Sequence, residues 1–226
     1  MTGAEAQPIR DAATVILYRD GGNGPSVLMG QRGAGAAFMP MKFVFPGGAV
    51  DAADAEVPLI SSLDPVSAAR LDENAPPGIA HALAAAAIRE LWEEAGLPLG
   101  APSSWPAPPP DWEGFAATGL APDAGALRYI FRAITPPGRP RRFDARFFLA
   151  PITAVPADPD DFSHASDELS YLRWVPIAEA RMLNLPFITE VVLAEAAAFL
   201  RSGREHPESV PFFDNSGETS RFRRIA

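Results

Sequence analysis

The chain has 226 residues, 47% of them hydrophobic, with a formal net charge of −9 and no cysteine. That length suits a single domain, residues 1–226, that needs no disulfide, and the lack of cysteine excludes thiol catalysis and thiolate metal ligands. The acidic balance argues against nucleic-acid binding. Because the sequence has no apolar run of about 18 residues and no signal segment, we expect no membrane partner and a cytoplasmic location.

The N-terminal part alternates apolar runs with turn residues, a pattern that predicts a hairpin followed by a short strand. The predicted elements are strands over residues 13–19, 26–32 and 42–45, a hairpin turn over residues 20–25, and a glycine turn at Phe45-Pro46-Gly47-Gly48. The next segment, residues 52–77, is rich in Asp, Ala, Ser and Pro. That composition predicts a surface excursion, because proline and glycine interrupt regular structure.

An alanine-rich run predicts a helix over residues 78–95. Its inner face is formed by Ile79, Leu83, Ala87 and Leu91, which recur at helical spacing. Gly96 follows it, where a left-handed residue commonly ends a helix.

The C-terminal part again mixes strands and helices, which indicates an α+β layer fold. The predicted elements are a proline-rich loop over residues 97–112, strands over 127–135, 142–152 and 169–175, an acidic loop over 158–167, helices over 177–183 and 186–201, and a tail from residue 203 to 226 partly ordered by Phe212 and Phe213.

Three carboxylates on the predicted helix carry the chemistry. Glu90, Glu93 and Glu94 lie at i, i+3 and i+4, so they share one face. Like charges at that spacing cost an isolated helix about 0.2–0.5 kcal/mol per pair. Hard cations such as Mg²⁺ bind carboxylates and substrate phosphates together, so a metal site would explain the cluster. The alternative is a solvated helix face with an Arg89–Glu93 ion pair.

Two motifs resemble the signature of the Nudix hydrolases. Residues 89–97 match the pattern R-E-U-x-E-E-x-G-U, where U is apolar, and the turn at Gly47 and Gly48 resembles the turn that opens the signature. The resemblance implies a Nudix-type α/β/α sandwich with a central mixed sheet. It also implies that the Gly47 carbonyl and the three glutamates bind Mg²⁺ or Mn²⁺, with Arg89 orienting the glutamates.

The match has one departure. The usual signature has a glutamate at the eighth position before its arginine, where this chain has His81. We therefore interpret residues 52–77 as an insertion within the signature. An insertion at this place, together with residues 35–40 and 142–148, resembles the branch of the family that contains the coenzyme A diphosphatases.

The resemblance implies hydrolysis of a diphosphate linkage by water that attacks phosphorus. Glu168, in an Asp-Glu pair before a predicted strand, is our loop candidate for the base that accepts the water's proton, with solvation as the alternative role. Arg32 and Arg142 are our candidates for binding substrate phosphates, with pairing to the acidic loops as the alternative.

We expect a nucleotide-type substrate, with coenzyme A or its esters as the leading class. Two other functions remain open: a non-catalytic nucleotide sensor on the same fold, and a housecleaning nucleoside triphosphate pyrophosphatase. The intact glutamates favour an enzyme over a sensor. Members of the family are often dimers, so a homodimer is also expected.

Overall fold

The computed structural model describes residues 8–22, 24–217 and 219–226. Asn23, in the predicted hairpin turn, lies outside these ranges. The strands are β1 Ile9–Arg19, β2 Ser26–Arg32, β3 Phe43–Val44, β4 Gly47–Ala49, β5 Gly100–Pro102, β6 Leu120–Pro122, β7 Arg128–Ile134, β8 Arg142–Pro151, β9 Leu169–Pro176, β10 Val210–Asp214 and β11 Arg221–Ile225. The α-helices are α1 Pro65–Leu71, α2 Ile79–Ala95, α3 Glu113–Ala116 and α4 Phe187–Ser202.

Most strands join one mixed sheet in the order β11-β10-β7-β8-β1-β2-β3. The β1–β8 and β7–β10 pairs are parallel, and the other pairs are antiparallel. Strand β4 also pairs with β1, and β9 pairs with β2. Strands β5 and β6 form a separate pair.

Helices cover both faces of this sheet. One core packs α2 against alternate side chains of β1, among them Ala13, Val15 and Leu17. The other core packs α4 against the opposite face, where Ile16 lies. This alternation follows from the two-residue period of a strand. The predicted α/β/α sandwich with a central mixed sheet is therefore confirmed.

Helix α2 has the bounds that its sequence predicts. Gly78 precedes it and Gly96 ends it, both in left-handed conformation, with φ of +80° and +70°. The Gly96 N–H donates to the carbonyl of Trp92, which closes the last turn. The run of alanines is fully buried, so the helix backbone approaches the sheet closely.

On the edge away from β8, strand β1 changes partner along its length. Its end, at Tyr18 and Arg19, pairs with β2, whereas residues 12–14 pair with β4. Gly47 pairs with Thr14 at this change. The glycine turn is thereby held against the middle of the sheet.

The prediction for residues 52–77 is wrong in one respect, since the segment is folded into the protein. It forms a 3-10 helix, Ala52–Glu56, and helix α1, and it buries Asp54, Val57 and Leu71. Asp64 caps α1 by accepting from the Ser67 N–H. Apolar residues scattered among prolines reach the core through tertiary packing, which composition alone does not reveal.

Three smaller predictions also need correction. Residues 97–112 contain β5 and a 3-10 helix, Pro110–Trp112, rather than loop alone. The predicted helix over residues 177–183 is reduced to a 3-10 turn, Ala180–Met182. The tail is more ordered than expected, because β10 and β11 extend the sheet and bury Phe212. Within the described ranges, no helix has the length and apolar character of a membrane span.

Candidate active site

The last two turns of α2 bring Glu94 to the glycine turn. The N–H of Gly47 donates to Glu94 Oε2 at 2.8 Å. A Cβ at Gly47 would lie 2.6 Å from the Ala13 carbonyl oxygen, so only glycine permits this approach. The structure thus shows Gly47 contacting Glu94 through its N–H, and the role of its carbonyl as a metal ligand stays a prediction.

Position 48 also has no room for a side chain, because the Glu90 carboxylate occupies that space. A Cβ at Gly48 would lie 2.4 Å from Glu90 Oε1 and 2.5 Å from its carboxyl carbon. Strand β4 therefore packs its backbone directly against the Glu90 carboxylate. The two glycines hold two different glutamates of α2 in place.

Arg89 lies between the glutamates and the sheet. Its Nη1 donates to Glu90 Oε1 at 2.9 Å and to Glu93 Oε2 at 3.2 Å, and its Nη2 donates to the Ala49 carbonyl at 3.0 Å. The contact with Glu93 is also the i, i+4 pair that the sequence suggests. This one guanidinium fixes two carboxylates relative to β4.

Asp54 completes the shell around Arg89. Its Oδ1 accepts from Nε at 2.9 Å and its Oδ2 from Nη2 at 3.0 Å, and the residue is 1% exposed. Such a two-pronged contact holds a guanidinium in one plane. Asp54 thereby determines the direction in which Arg89 presents Nη1 to Glu90.

Burial raises the pKa of all three glutamates on α2. Desolvation is the main reason that the pKa of Glu90 is raised to about 7; the charges of Glu93 and Glu168 act in the same direction, and Arg89 opposes them. Desolvation likewise raises the pKa of Glu94 well above its usual range, and Gly47 opposes this by hydrogen bonding. Desolvation also raises the pKa of Glu93. Ionisation of the three carboxyl groups is therefore unfavourable unless a proton or a cation compensates their negative charge.

Glu168 and Arg32, both predicted from the sequence, contact each other. Arg32 Nη2 donates to Glu168 Oε1 at 2.6 Å, and Arg32 pairs with Leu169 at the start of β9. The charge of Glu168 raises the pKa of both Glu90 and Glu94. The structure therefore brings Arg32 and Glu168 close enough to the glutamates to interact with them.

Arg142 and His81 contact backbone carbonyls of neighbouring segments. Arg142 is buried at the start of β8 and donates to the carbonyls of Thr135 and Asn215. These contacts favour a structural role, and its binding of substrate stays a prediction. His81 contacts the Val57 carbonyl at 2.8 Å, so it joins α2 to the segment that precedes α1.

Comparison with known proteins gives a consistent result. No family model matches the chain. Nudix hydrolase 7 of Caenorhabditis elegans is 30% identical over 180 residues, which are 74% of this chain and 51% of that protein. The chain thus spans about half the length of the curated relative that it matches.

Solved structures extend the likeness to the fold. A Nudix hydrolase from Alicyclobacillus acidocaldarius superposes with a TM-score of 0.62 at 29% identity, covering 85% of this chain and 92% of that one. The chain has the Nudix fold. The Ap4A hydrolase of C. elegans superposes with a TM-score of 0.51 at 17% identity, covering 86% and 99% of the two chains. The relatives together support a place in the Nudix hydrolase family.

The Nudix signature also explains Asp54, which our sequence analysis missed. Counting back from Arg89 leads to His81, but counting forward from Gly48 makes Asp54 the sixth residue, where the signature has its glutamate. The acidic residue is therefore present as an aspartate. Counting from both ends of the interrupted motif would have found it.

The donor set fits the divalent metal that the Nudix signature implies. Glu94 Oε1 is buried and accepts no hydrogen bond from the described residues. This oxygen, close to the Glu90 charge, is therefore available as one of the oxygen ligands that a hard cation needs. Within the described ranges, no three acidic or histidine side chains converge closely enough to hold an ion already.

Proposed function

We propose that this chain is a metal-dependent Nudix hydrolase that cleaves the diphosphate linkage of a nucleoside diphosphate joined to another group. The observation that carries the proposal is Oε1 of Glu94, which is buried and accepts no hydrogen bond from the described residues. The charges of Glu90, Glu168 and Arg32 all act on this carboxyl group, and Arg32 donates to Glu168. Desolvated carboxylates with a guanidinium near them suit an anionic substrate bound through a cation.

Glu90, Glu93 and Glu94 would hold Mg²⁺ or Mn²⁺, with the Gly47 carbonyl as a further ligand. A bound divalent cation neutralises diphosphate charge and lowers the pKa of a coordinated water. Arg89, held by Asp54, keeps Glu90 and Glu93 in position for this role. The Nudix helix thereby supplies negative charge at a fixed site.

Glu168 would accept the proton of the attacking water. Its Oε1 receives the hydrogen bond from Arg32, which leaves Oε2 for the water. The side chain is 53% exposed, so solvent and substrate can reach it. A carboxylate of the helix is the alternative base.

Arg32 would bind the substrate phosphates. Its Nε is buried and makes no hydrogen bond within the described part of the chain, and Nη2 is already held by Glu168. A guanidinium kept in place by one carboxylate can still donate to phosphate oxygens from its other nitrogens. Arg32 then links the substrate to the base.

Coenzyme A or its esters are the substrates that we propose first. The support is the interrupted signature and the resemblance of residues 35–40 and 142–148 to that branch. The chain spans half of its curated relative, so that protein's name assigns no substrate here. We further propose a homodimer and a cytoplasmic location, which gel filtration and localisation of a tagged chain would test.

The test is hydrolysis by the purified protein with Mg²⁺ or Mn²⁺ against coenzyme A, ADP-ribose, NADH, dinucleoside polyphosphates and nucleoside triphosphates. Glu94→Gln is the inactive variant, and Glu190→Gln, an exposed change on α4, is the matched control. Reaction in ¹⁸O-water identifies the phosphorus that is attacked.

Coenzyme A cleaved at its diphosphate, lost in Glu94→Gln and kept in Glu190→Gln, would support the full proposal. Cleavage of the diphosphate linkage in one of the other compounds instead would support the proposed reaction and reject coenzyme A as the substrate class. Preference for nucleoside triphosphates would favour a housecleaning pyrophosphatase. Tight binding without turnover would favour a sensor.

A further inference from the structure

The acidic loop, residues 158–167, lies against the C-terminal end of helix α2 and leads directly into Glu168. We propose that this contact positions Glu168 over the glutamates, and that His164 is a positioning residue for catalysis. The inference rests on the proposed function and deepens it, since it concerns how the proposed base is held.

The first contact is a hydrogen bond from the loop to the helix. The Ser166 N–H donates to the Glu93 carbonyl at 2.8 Å. Carbonyls in the last turn of a helix lack donors within the helix and need partners from outside. The acidic loop supplies one of them, at a residue proposed to bind the metal. Ser166 and Glu168 are close in sequence, so this bond restrains Glu168 as well.

The second contact is the close approach of the loop to Gly96. A Cβ at Gly96 would lie 2.9 Å from the Ala165 nitrogen and 3.0 Å from the carbonyl carbon and Cβ of His164. Gly96 therefore has two functions, since it ends the helix in left-handed conformation and leaves space for the loop backbone. The loop lies directly over the end of the Nudix helix.

The third contact is aromatic. The His164 and Trp92 rings are stacked, with centroids 5.5 Å apart and planes 26° from parallel. Trp92 is nearly buried, and Phe115 packs its edge against the indole with centroids 5.8 Å apart. His164 itself is exposed. The nearly buried Trp92 ring on the helix is thus covered by an exposed aromatic ring from the loop.

Both ends of the loop are also tied to the sheet. Trp174 Nε1 donates to the Pro159 carbonyl at 3.0 Å, and Glu168 pairs with Arg32. Between these ends, the loop contacts Trp92, Glu93 and Gly96 of α2 and its cap. The turn that carries Glu93 and Glu94 therefore also holds the segment that carries the proposed base.

His164→Ala removes the stacking while leaving every proposed metal and substrate residue in place. We expect kcat to fall about 3- to 10-fold, with KM nearly unchanged, because aromatic pairs contribute modestly and no substrate contact is lost. His164→Phe keeps a ring and should restore kcat. His206→Ala, in the segment before β10, is the histidine control, because that ring lies near Asp64 at the start of α1 rather than near the glutamates. It should retain wild-type turnover.

The deciding measurement combines His164→Ala with Glu168→Gln. If His164 acts through Glu168, His164→Ala causes no further loss of kcat once Glu168 has been replaced. Hydrogen exchange provides a readout without substrate: the Ser166 amide should be protected in the wild type and exchange faster in His164→Ala.

An equal loss of kcat from His164→Ala in both backgrounds would overturn the positioning role. So would failure of His164→Phe to restore kcat, or an unprotected Ser166 amide in the wild type. These outcomes differ from failure of the proposed function, which appears as no wild-type hydrolysis or as full activity in Glu94→Gln. Full activity in Glu168→Gln would remove the proposed base, and with it the role of His164.

Discussion

Asp54 makes a bidentate contact with one edge of the Arg89 guanidinium, with Oδ1 at 2.9 Å from Nε and Oδ2 at 3.0 Å from Nη2. The two residues are 35 positions apart, and helix α1 lies between them in the chain. Arg89 in turn contacts Glu90 and Glu93. A residue outside the signature helix therefore determines where two of its carboxylates lie.

Asp54→Asn is expected to destabilise the protein and to reduce its turnover. Loss of one partner of a buried ion pair costs about 3–5 kcal/mol, because the remaining charge is left without full compensation. We also expect kcat to fall about 10- to 100-fold, the usual effect of losing a residue that orients metal ligands. Denaturant unfolding and steady-state kinetics measure the two effects.

Asp51→Asn is the control for that experiment. Asp51 lies 3.8 Å from Arg89 Nη2, but its side chain is 63% exposed. A long contact with a largely exposed carboxylate contributes little, so the free energy of unfolding should change by less than about 1 kcal/mol. Equal effects of the two substitutions would show that Asp54 has no special role.

Gly48→Ala should weaken metal binding without unfolding the protein. The added Cβ would lie 2.4 Å from Glu90 Oε1, so the carboxylate has to move. We expect Mn²⁺ affinity, measured by titration calorimetry, to fall about 10-fold or more. Gly33→Ala is the control, since a Cβ there meets no atom within 4 Å. Unchanged affinity in Gly48→Ala would argue against Glu90 as a ligand.

Arg32 and Arg142 should respond differently to replacement by glutamine. Arg32→Gln is expected to raise KM about 10- to 100-fold, because a charge-assisted bond to phosphate is lost. Arg142→Gln should lower stability and leave KM unchanged, since its guanidinium donates to the Thr135 and Asn215 carbonyls. A similar rise of KM in both variants would restore Arg142 as a substrate-binding residue.

The stability of the metal-free protein should decrease as the pH rises. Burial raises the pKa of Glu90 from its ordinary 4.5 to about 7, so between these values the folded protein binds more protons than the unfolded chain. The stabilisation is fully present below the unfolded pKa and is lost as the pH rises through the folded pKa. Glu94 acts in the same direction.

We therefore expect Tm, measured with a chelator, to fall by several degrees between pH of about 5 and about 8. Glu90→Gln should flatten this dependence, and Glu190→Gln, on the exposed side of α4, should leave it unchanged. A Tm that rises over the same range would contradict the raised pKa of Glu90. Added Mg²⁺ should counteract the fall, because metal binding requires the ionised carboxylates.

Local patterns predicted much of the fold and part of the site. Strand β2 and helix α2 have the predicted positions, because their signals lie within a few residues. Strand β2 is a short apolar run that follows a turn, and helix α2 is a run of alanines ended by Gly96. The shared face of Glu90, Glu93 and Glu94 follows from helical spacing alone. For the same reason, the resemblance to the Nudix signature could be recognised without a structure.

Contacts between distant segments could not be predicted in this way. Arg32 and Glu168 are 136 positions apart, and their contact depends on how β2 pairs with β9. Likewise, Ser166 reaches Glu93 only because the acidic loop crosses the end of α2. Strand register and chain path set these distances, and neither is encoded in a short window of residues.

The sequence by itself thus determined the helix, its three carboxylates and the glycine turn, since each depends on neighbours in the chain. The tertiary structure decided what surrounds them. It brought Asp54 to Arg89 and placed Gly48 against Glu90, because burial of the intervening segment and the change of partner along β1 join parts of the chain that share no local pattern.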